Sequence, residues 1–195
     1  MARPKTYDER LRRTLIDTAA ELIAAHGAEA LALRPLAERA GTSTNAVYSL
    51  FGSKAGLVGA VLAEAASSFT AAQRAVEASD DPLADLVGLG RAYHSWALAH
   101  PALYAVMFGD RVPVAALADQ VVGDESMEPL LTTVSRGIAA GRLRPVDPVV
   151  AAMSIWAGIH GLVSLEIAGR LACDPAGDGL LEEHLAAIAA YWLAS

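Results

Sequence analysis

"LAERAGTSTNAVYSLFGSKAGL", residues Leu36 to Leu57, is the stretch on which the reading of this chain turns. Two short segments with apolar residues at helical spacing flank Gly41, and the second opens on small hydroxyl and amide side chains. The first reads as a helix from Leu33 to about Ala40, with Pro35 in its first turn, where a missing N–H costs little. Gly41 ends it. Ser43 is placed to cap a second short helix through about Leu50, because its hydroxyl can accept from an otherwise unpaired N–H of the first turn. Two arrangements suit such a pair: a plain helical hairpin, or a helix-turn-helix whose second member enters the major groove of a duplex.

Residue types favour the second. Thr44, Asn45, Ala46 and Ser49 fall near the start and outer face of that helix, where hydroxyl and amide groups can meet base edges and a methyl can meet thymine. Ala37, Ala40 and Val47 fall on the inner face. Tyr48 carries a phenol that can reach a phosphate. Lys54 stands where the next helix begins, so its ammonium and that helix's free N–H groups can grip the backbone together. Arg34 can do the same from the preceding helix.

Working outward, Leu11, Leu15, Ile16, Ala19, Leu22 and Ile23 mark one face of a helix from Asp8 to Ala25, stopped by His26-Gly27. On the other side Ser53 caps a helix from Lys54 towards Ala78, with Leu57, Val58, Val61, Leu62 and Phe69 on one stripe. Further helices are predicted from Pro82 to about His100, from Pro101, from about Pro129 to Ala140, from an Asp147-Pro148 start to about Ala168, and from Asp178 to Leu193. Prolines 82, 101, 129 and 148 are each read as opening a helix. Residues 113–122 are left unassigned. The expected class is all-α, with a DNA-binding domain over residues 1–53 and a helical body over 54–195.

Composition agrees: the 195 residues are 54% hydrophobic, rich in Ala and Leu and poor in aromatics. The net charge of −7 argues against a nucleic-acid partner, but its distribution does not. Residues 1–60 carry eight basic and six acidic side chains, leaving the remaining 135 with seven and sixteen. A small phosphate-facing module on an acidic body has this asymmetry. The single cysteine, Cys173, rules out an intramolecular disulfide and a multi-cysteine zinc site, and fits the cytoplasm. The N-terminal segment has no apolar core of the signal-peptide kind, and no apolar run is read as approaching the length of a membrane span.

"LRPLAERAGTSTNAVYSLFGSKAGL", together with "LIDTAAELIAAHG" upstream, resembles the DNA-binding domain of TetR-type transcriptional regulators over residues 8–62. An alanine-bearing helix, a glycine turn, Tyr-x-x-Phe and then Lys-x-x-Leu carry the likeness. It implies operator contacts by Ser43, Thr44, Asn45, Tyr48 and Lys54, with Arg34 a further one. Ala32 stands where such proteins often have a capping threonine, and Leu50 where a phosphate-contacting histidine is frequent. "IWAGIHGLVSLEIAG", Ile155 to Gly169, resembles the Trp-x-x-x-His-Gly element of one subgroup. The family implies a body that dimerises through its last two helices and binds a small effector. Leu180, Leu181, Leu185, Ile188 and Trp192 are the apolar residues of the last helix.

Pocket candidates come from the aromatic and polar residues of the middle helices: Tyr93, Trp96, Tyr104, Met107, Phe108, Met153, Trp156 and His160, with His94 and His100 beside them. Trp156 and His160 share one helical face, and Gly158 and Gly161 permit close approach of a neighbour. The histidines have no ligand set at helical spacing, so no metal is expected, and nothing calls for another cofactor. Enzyme motifs are missing: no Gly-x-Ser-x-Gly, no phosphate loop, no His-Glu-x-x-His, and "GLGRAY" lacks the last glycine of a dinucleotide fingerprint. Two functions stand against each other: a dimeric regulator, expected to be a repressor released from a palindromic operator by a largely apolar effector, and a helical protein-interaction adaptor that leaves DNA alone.

Overall fold

A computed structural model describes residues 5–110, 112, 124–171 and 178–194. Its helices are α1 (Lys5–His26), α2 (Leu33–Arg39), α3 (Thr44–Phe51), α4 (Lys54–Arg74), α5 (Pro82–Ala99), α6 (Pro101–Phe108), α7 (Asp124–Ala139), α8 (Pro148–Ile167) and α9 (Asp178–Trp192). Among the described residues the only β pairing is one isolated antiparallel bridge, Leu143 to Leu193. The unassigned stretch 113–122 and Cys173 lie outside them.

The chain divides into two compact units, with the division inside α4, between Ser68 and Phe69. The first holds α1, α2, α3, the start of α4, and α6. Leu15, Ile16, Ala19 and Ile23 of α1 are buried, as are Leu57, Val58, Val61 and Leu62 of α4, so both apolar stripes face inward as their spacing predicts. The loop between α2 and α3 is set by backbone bonds. Gly41 N–H donates to Glu38 O at 3.1 Å and Thr42 N–H to Ala37 O at 2.8 Å, a Schellman closure. It needs the left-handed φ of +66° that Gly41 adopts, which L side chains resist.

The second unit holds the rest of α4 with α5, α7, α8 and α9. Its core gathers Leu86, Leu89, Val134, Leu143, Ala152, Ile155 and Trp192. Asp85, 5% exposed, ties the N-terminal turn of α5 to its surroundings: both its oxygens accept from Ser79 N–H, Oδ1 also accepts from the Ser79 hydroxyl at 2.6 Å, and Oδ2 accepts from Arg136 at 3.1 Å. Burial pushes its pKa up, but these hydrogen bonds and the Arg136 charge outweigh it and hold the carboxyl below its ordinary value.

Several expectations need correcting. Pro129 sits inside α7, not at its start. At the sixth residue of α7 it lies past the four N–H groups that lack a helical partner, and a proline there gives up one backbone hydrogen bond. α4 stops at Arg74, short of Ala78. Gly158 does allow close approach, since a Cβ there would stand 2.8 Å from Ile188 Cδ1, but Gly161 has no neighbour within 4 Å. α4 and α8 are each long and apolar enough to cross a membrane by length and composition, contrary to the reading that no such run exists. Alanine and glycine raise the apolar content without large side chains, and α8 packs against α5, α7 and α9.

Two measurements check these ties. Asp85→Ala strands Arg136 and the Ser79 N–H and is expected to cost about 2–3 kcal/mol, read as a lower urea midpoint. Ala32, the extended residue before α2, makes no side-chain cap; Ala32→Thr is expected to add about 1 kcal/mol and raise Tm by a few degrees.

Candidate nucleic-acid interface and ligand cleft

α3 is two turns long, and one residue sets its phase. Val47 is fully buried, in a unit whose core also holds Leu36, Ala37 and Leu57. With Val47 inward, Asn45, Tyr48 and Ser49 point to solvent, and Tyr48 is 53% exposed. Ser43 caps the helix as predicted, accepting from Ala46 N–H at 3.3 Å, and is itself exposed. Thr44 is half-buried beside it. The exposed group thus offers one amide, one phenol and several hydroxyls from the start and outer face of a single helix, the donor and acceptor types that read base edges and phosphates.

The two cations differ in environment. Arg34 is exposed on α2 and its Nε donates to Glu38 at 3.1 Å, a one-turn surface pair of little energetic consequence that a phosphate can compete for. Lys54 is half-buried, and its Nζ donates to the Glu29 carbonyl at 2.7 Å. That bond braces the start of α4 against the loop after α1 and leaves the ammonium two further donors. Arg12 of α1 lies 5.4 Å from the centre of the Phe51 ring at the end of α3. Arg39 of α2 pairs with Glu21 of α1.

The junction of α3 and α4 holds a residue that spacing alone did not single out. A Cβ at Gly56 would stand 2.1 Å from the Phe51 carbonyl oxygen, so the first turn of α4 can close on the end of α3 only with glycine there. Ser53 completes the junction by accepting from Gly56 N–H at 2.9 Å, the cap expected of it.

In the second unit the helices leave a cleft with a cavity volume of about 40 Å³. Of the eight pocket candidates it brings together Tyr93 and Trp156. Trp96 is buried edge-on against Phe69, with ring centres 5.0 Å apart, and serves the core. His160 stands behind the wall: its Nδ1 and the Tyr93 hydroxyl are hydrogen-bonded at 2.9 Å, and its ring stacks on Trp156. Met153 is 42% exposed on α8. Tyr104, Met107 and Phe108 belong to α6, in the first unit, and Tyr104 and Met107 are buried there. His100 is exposed, while His94 is buried and pairs with Glu166 at 2.8 Å. Spacing overlooked Gln73, a cleft residue four positions beyond Phe69 and therefore on the buried stripe of α4.

A short capped helix whose buried face is fixed and whose outer face is polar, carried next to a second short helix, makes this a helix-turn-helix DNA-binding regulator. The chain belongs to the TetR family. Residues 15–61 match the family model for bacterial regulatory proteins of the tetR family, and residues 86–188 match that for the tetracyclin repressor-like C-terminal domain. The HTH-type transcriptional regulator Rv1816 of Mycobacterium tuberculosis is 26% identical, over 85% of this chain and 84% of its own length. A solved protein of unknown function from Rhodococcus sp. RHA1 is 30% identical with a TM-score of 0.75, covering 95% of this chain and 96% of its own. NalD, the secondary repressor of the MexAB-OprM efflux pump in Pseudomonas aeruginosa, shares the fold at 22% identity and a TM-score of 0.73, covering 97% and 98%. The family's members are transcriptional regulators, not enzymes.

Gly56→Ala forces the α3–α4 junction apart and is expected to cost about 1–3 kcal/mol, seen as a lower Tm. Burial holds the His160 pKa below its ordinary 6.5. As pH falls below that value the unfolded chain takes up a proton that the folded ring refuses, so stability declines. Chemical denaturation between pH 7.5 and 5 is expected to show that decline, and His160→Gln to flatten part of it.

Proposed function

We propose that the chain is a homodimeric cytoplasmic repressor that holds a palindromic operator through Arg34, Ser43, Thr44, Asn45, Tyr48, Ser49 and Lys54, and lets go when a small, largely apolar effector enters the cleft. Residues 1–53 would serve DNA, and residues 54–195 effector binding and dimerisation. The observation that carries the DNA reading is the outer face of α3, where Asn45, Tyr48 and Ser49 are exposed while Val47 opposite them is fully buried.

Dimerisation through the last two helices finds support in apolar side chains left in solvent: Val149 at 55%, Val150 at 60%, Met153 at 42% and Leu165 on α8, with Leu180 and Tyr191 on α9. These are not the residues first picked out for that face. Leu181, Leu185 and Trp192 are buried within their own unit, and only Leu180 of that set is strongly exposed. A two-fold pair of recognition helices reads two half-sites about one helical turn apart, which one short helix cannot do.

Release follows from population shift. An effector that binds better to one spacing of the paired helices weakens operator binding by the ratio of its affinities for the two states, and by no more. The element suited to transmit it is α4, which starts at Lys54 and supplies Phe69 and Gln73 to the cleft.

The adaptor reading is separated by salt. With phosphate contacts, duplex affinity falls steeply as salt rises; an adaptor shows no such dependence. In a titration against the cognate operator, Asn45→Ala is expected to weaken binding by about 1–3 kcal/mol, and Tyr48→Phe to weaken it for every sequence alike. Unchanged affinity in both variants would remove α3 from the interface.

A further inference from the structure

The cleft's lining carries a chemical specification narrower than apolar. Among the described residues no charged side chain lines it. Several charges close by in sequence are paired: Asp85 with Arg136, Arg91 with Glu182 at 2.6 Å, and Arg74 with Glu128 at 3.8 Å. A charged ligand would shed its hydration shell and find no counter-ion, a cost no apolar contact offsets.

Gln73 brings to the cleft an amide with capacity to spare. Gln73 is 5% exposed, on the last turns of α4. Its Nε2 donates to the Leu89 carbonyl at 3.4 Å, and an acceptor at that position requires the nitrogen there, so the other end of the amide is the oxygen. Oε1 has no hydrogen-bond partner among the described residues, nor is it one of the fully sealed unpaired atoms, Arg144 Nε and His184 Nε2. Gln73 is one of the cleft's lining residues, so a ligand there can meet this end of the amide. Buried amides normally satisfy both ends, and a ligand can supply the missing donor.

We propose that the cleft takes a neutral, mainly apolar molecule bearing one hydroxyl or N–H, which donates to Gln73 Oε1 while the hydrocarbon or ring packs against Trp156, Ile159 and Leu185. This rests on the cleft being the effector site. Carboxylates and ammonium ions are excluded by the uncharged wall, and Gln73 distinguishes an alcohol or phenol from the hydrocarbon of the same shape. Gly90 fixes the floor, because a Cβ there would stand 2.3 Å from Leu185 Cδ2.

The test uses the purified full chain without DNA, and four probes built on one ring: benzyl alcohol, toluene, benzoate and benzylammonium. Trp156 and Trp192 line the cleft, so binding is read from tryptophan fluorescence and checked by calorimetry. The alcohol is expected to bind at least about tenfold more tightly than either ion. Gln73→Leu is expected to weaken the alcohol about fivefold while leaving toluene as tight or tighter. Gln73→Met serves as a second variant, and helical circular dichroism reports folding for both; if neither folds, the wild-type ranking decides. Equal binding of benzoate or benzylammonium, no binding of any probe, or an unchanged alcohol affinity in a folded variant overturns the proposal. Because DNA is absent, an alcohol that binds as described but leaves a separate operator complex intact counts against the effector reading alone.

Discussion

Everything at the DNA-facing end depends on the burial of Val47. α3 has eight residues, so a helix this short has no long apolar stripe to fix its rotation, and one fully buried β-branched side chain does so. Burying a valine contributes about 1.5 kcal/mol or more, comparable to the Ser43 cap at the same helix's start. Once Val47 is inward, the 100° step between residues leaves Asn45, Tyr48 and Ser49 outward. Gly41 before the helix and Gly56 after it then permit backbone approaches that any larger residue would block, one through a left-handed φ and the other through proximity to the Phe51 carbonyl.

Much of this was legible in the sequence. Ser43 and Ser53 occupy cap positions recognisable from residue type and spacing, and both accept the hydrogen bonds that capping requires. The stripe Leu57, Val58, Val61, Leu62 and Phe69 predicted the buried face of α4 because a long helix repeats its signal over several turns. Pro129 misled, since proline is favoured at a helix's first position, yet here the helix begins five residues before it. The Lys54 bond to Glu29 O could not be read, because it joins residues 25 apart through a backbone carbonyl that carries no residue-type signal.

The cleft was harder for a related reason. Aromatic side chains on helices are good predictors of burial and poor predictors of which wall they join, so Trp96 and Tyr104 became core while Tyr93 and Trp156 became lining. Spacing did hold a clue for polar residues. His94 continues the stripe of Leu86, Leu89, Gly90 and Tyr93, and Gln73 continues that of Leu62 and Phe69; both are buried. A polar side chain in phase with an apolar stripe must find a partner inside, and the two solve this differently: His94 takes Glu166 from α8, whereas Gln73 takes the Leu89 carbonyl. Gln73 and Lys54 both belong to α4.

The most direct measurement selects duplexes from a random-sequence pool with the full-length protein and reads the recovered sequences. Two outward α3 helices related by a two-fold axis predict a palindrome with half-sites about one helical turn apart, bound by two chains. Recovery of no shared sequence, or of a single half-site bound by one chain, would contradict it.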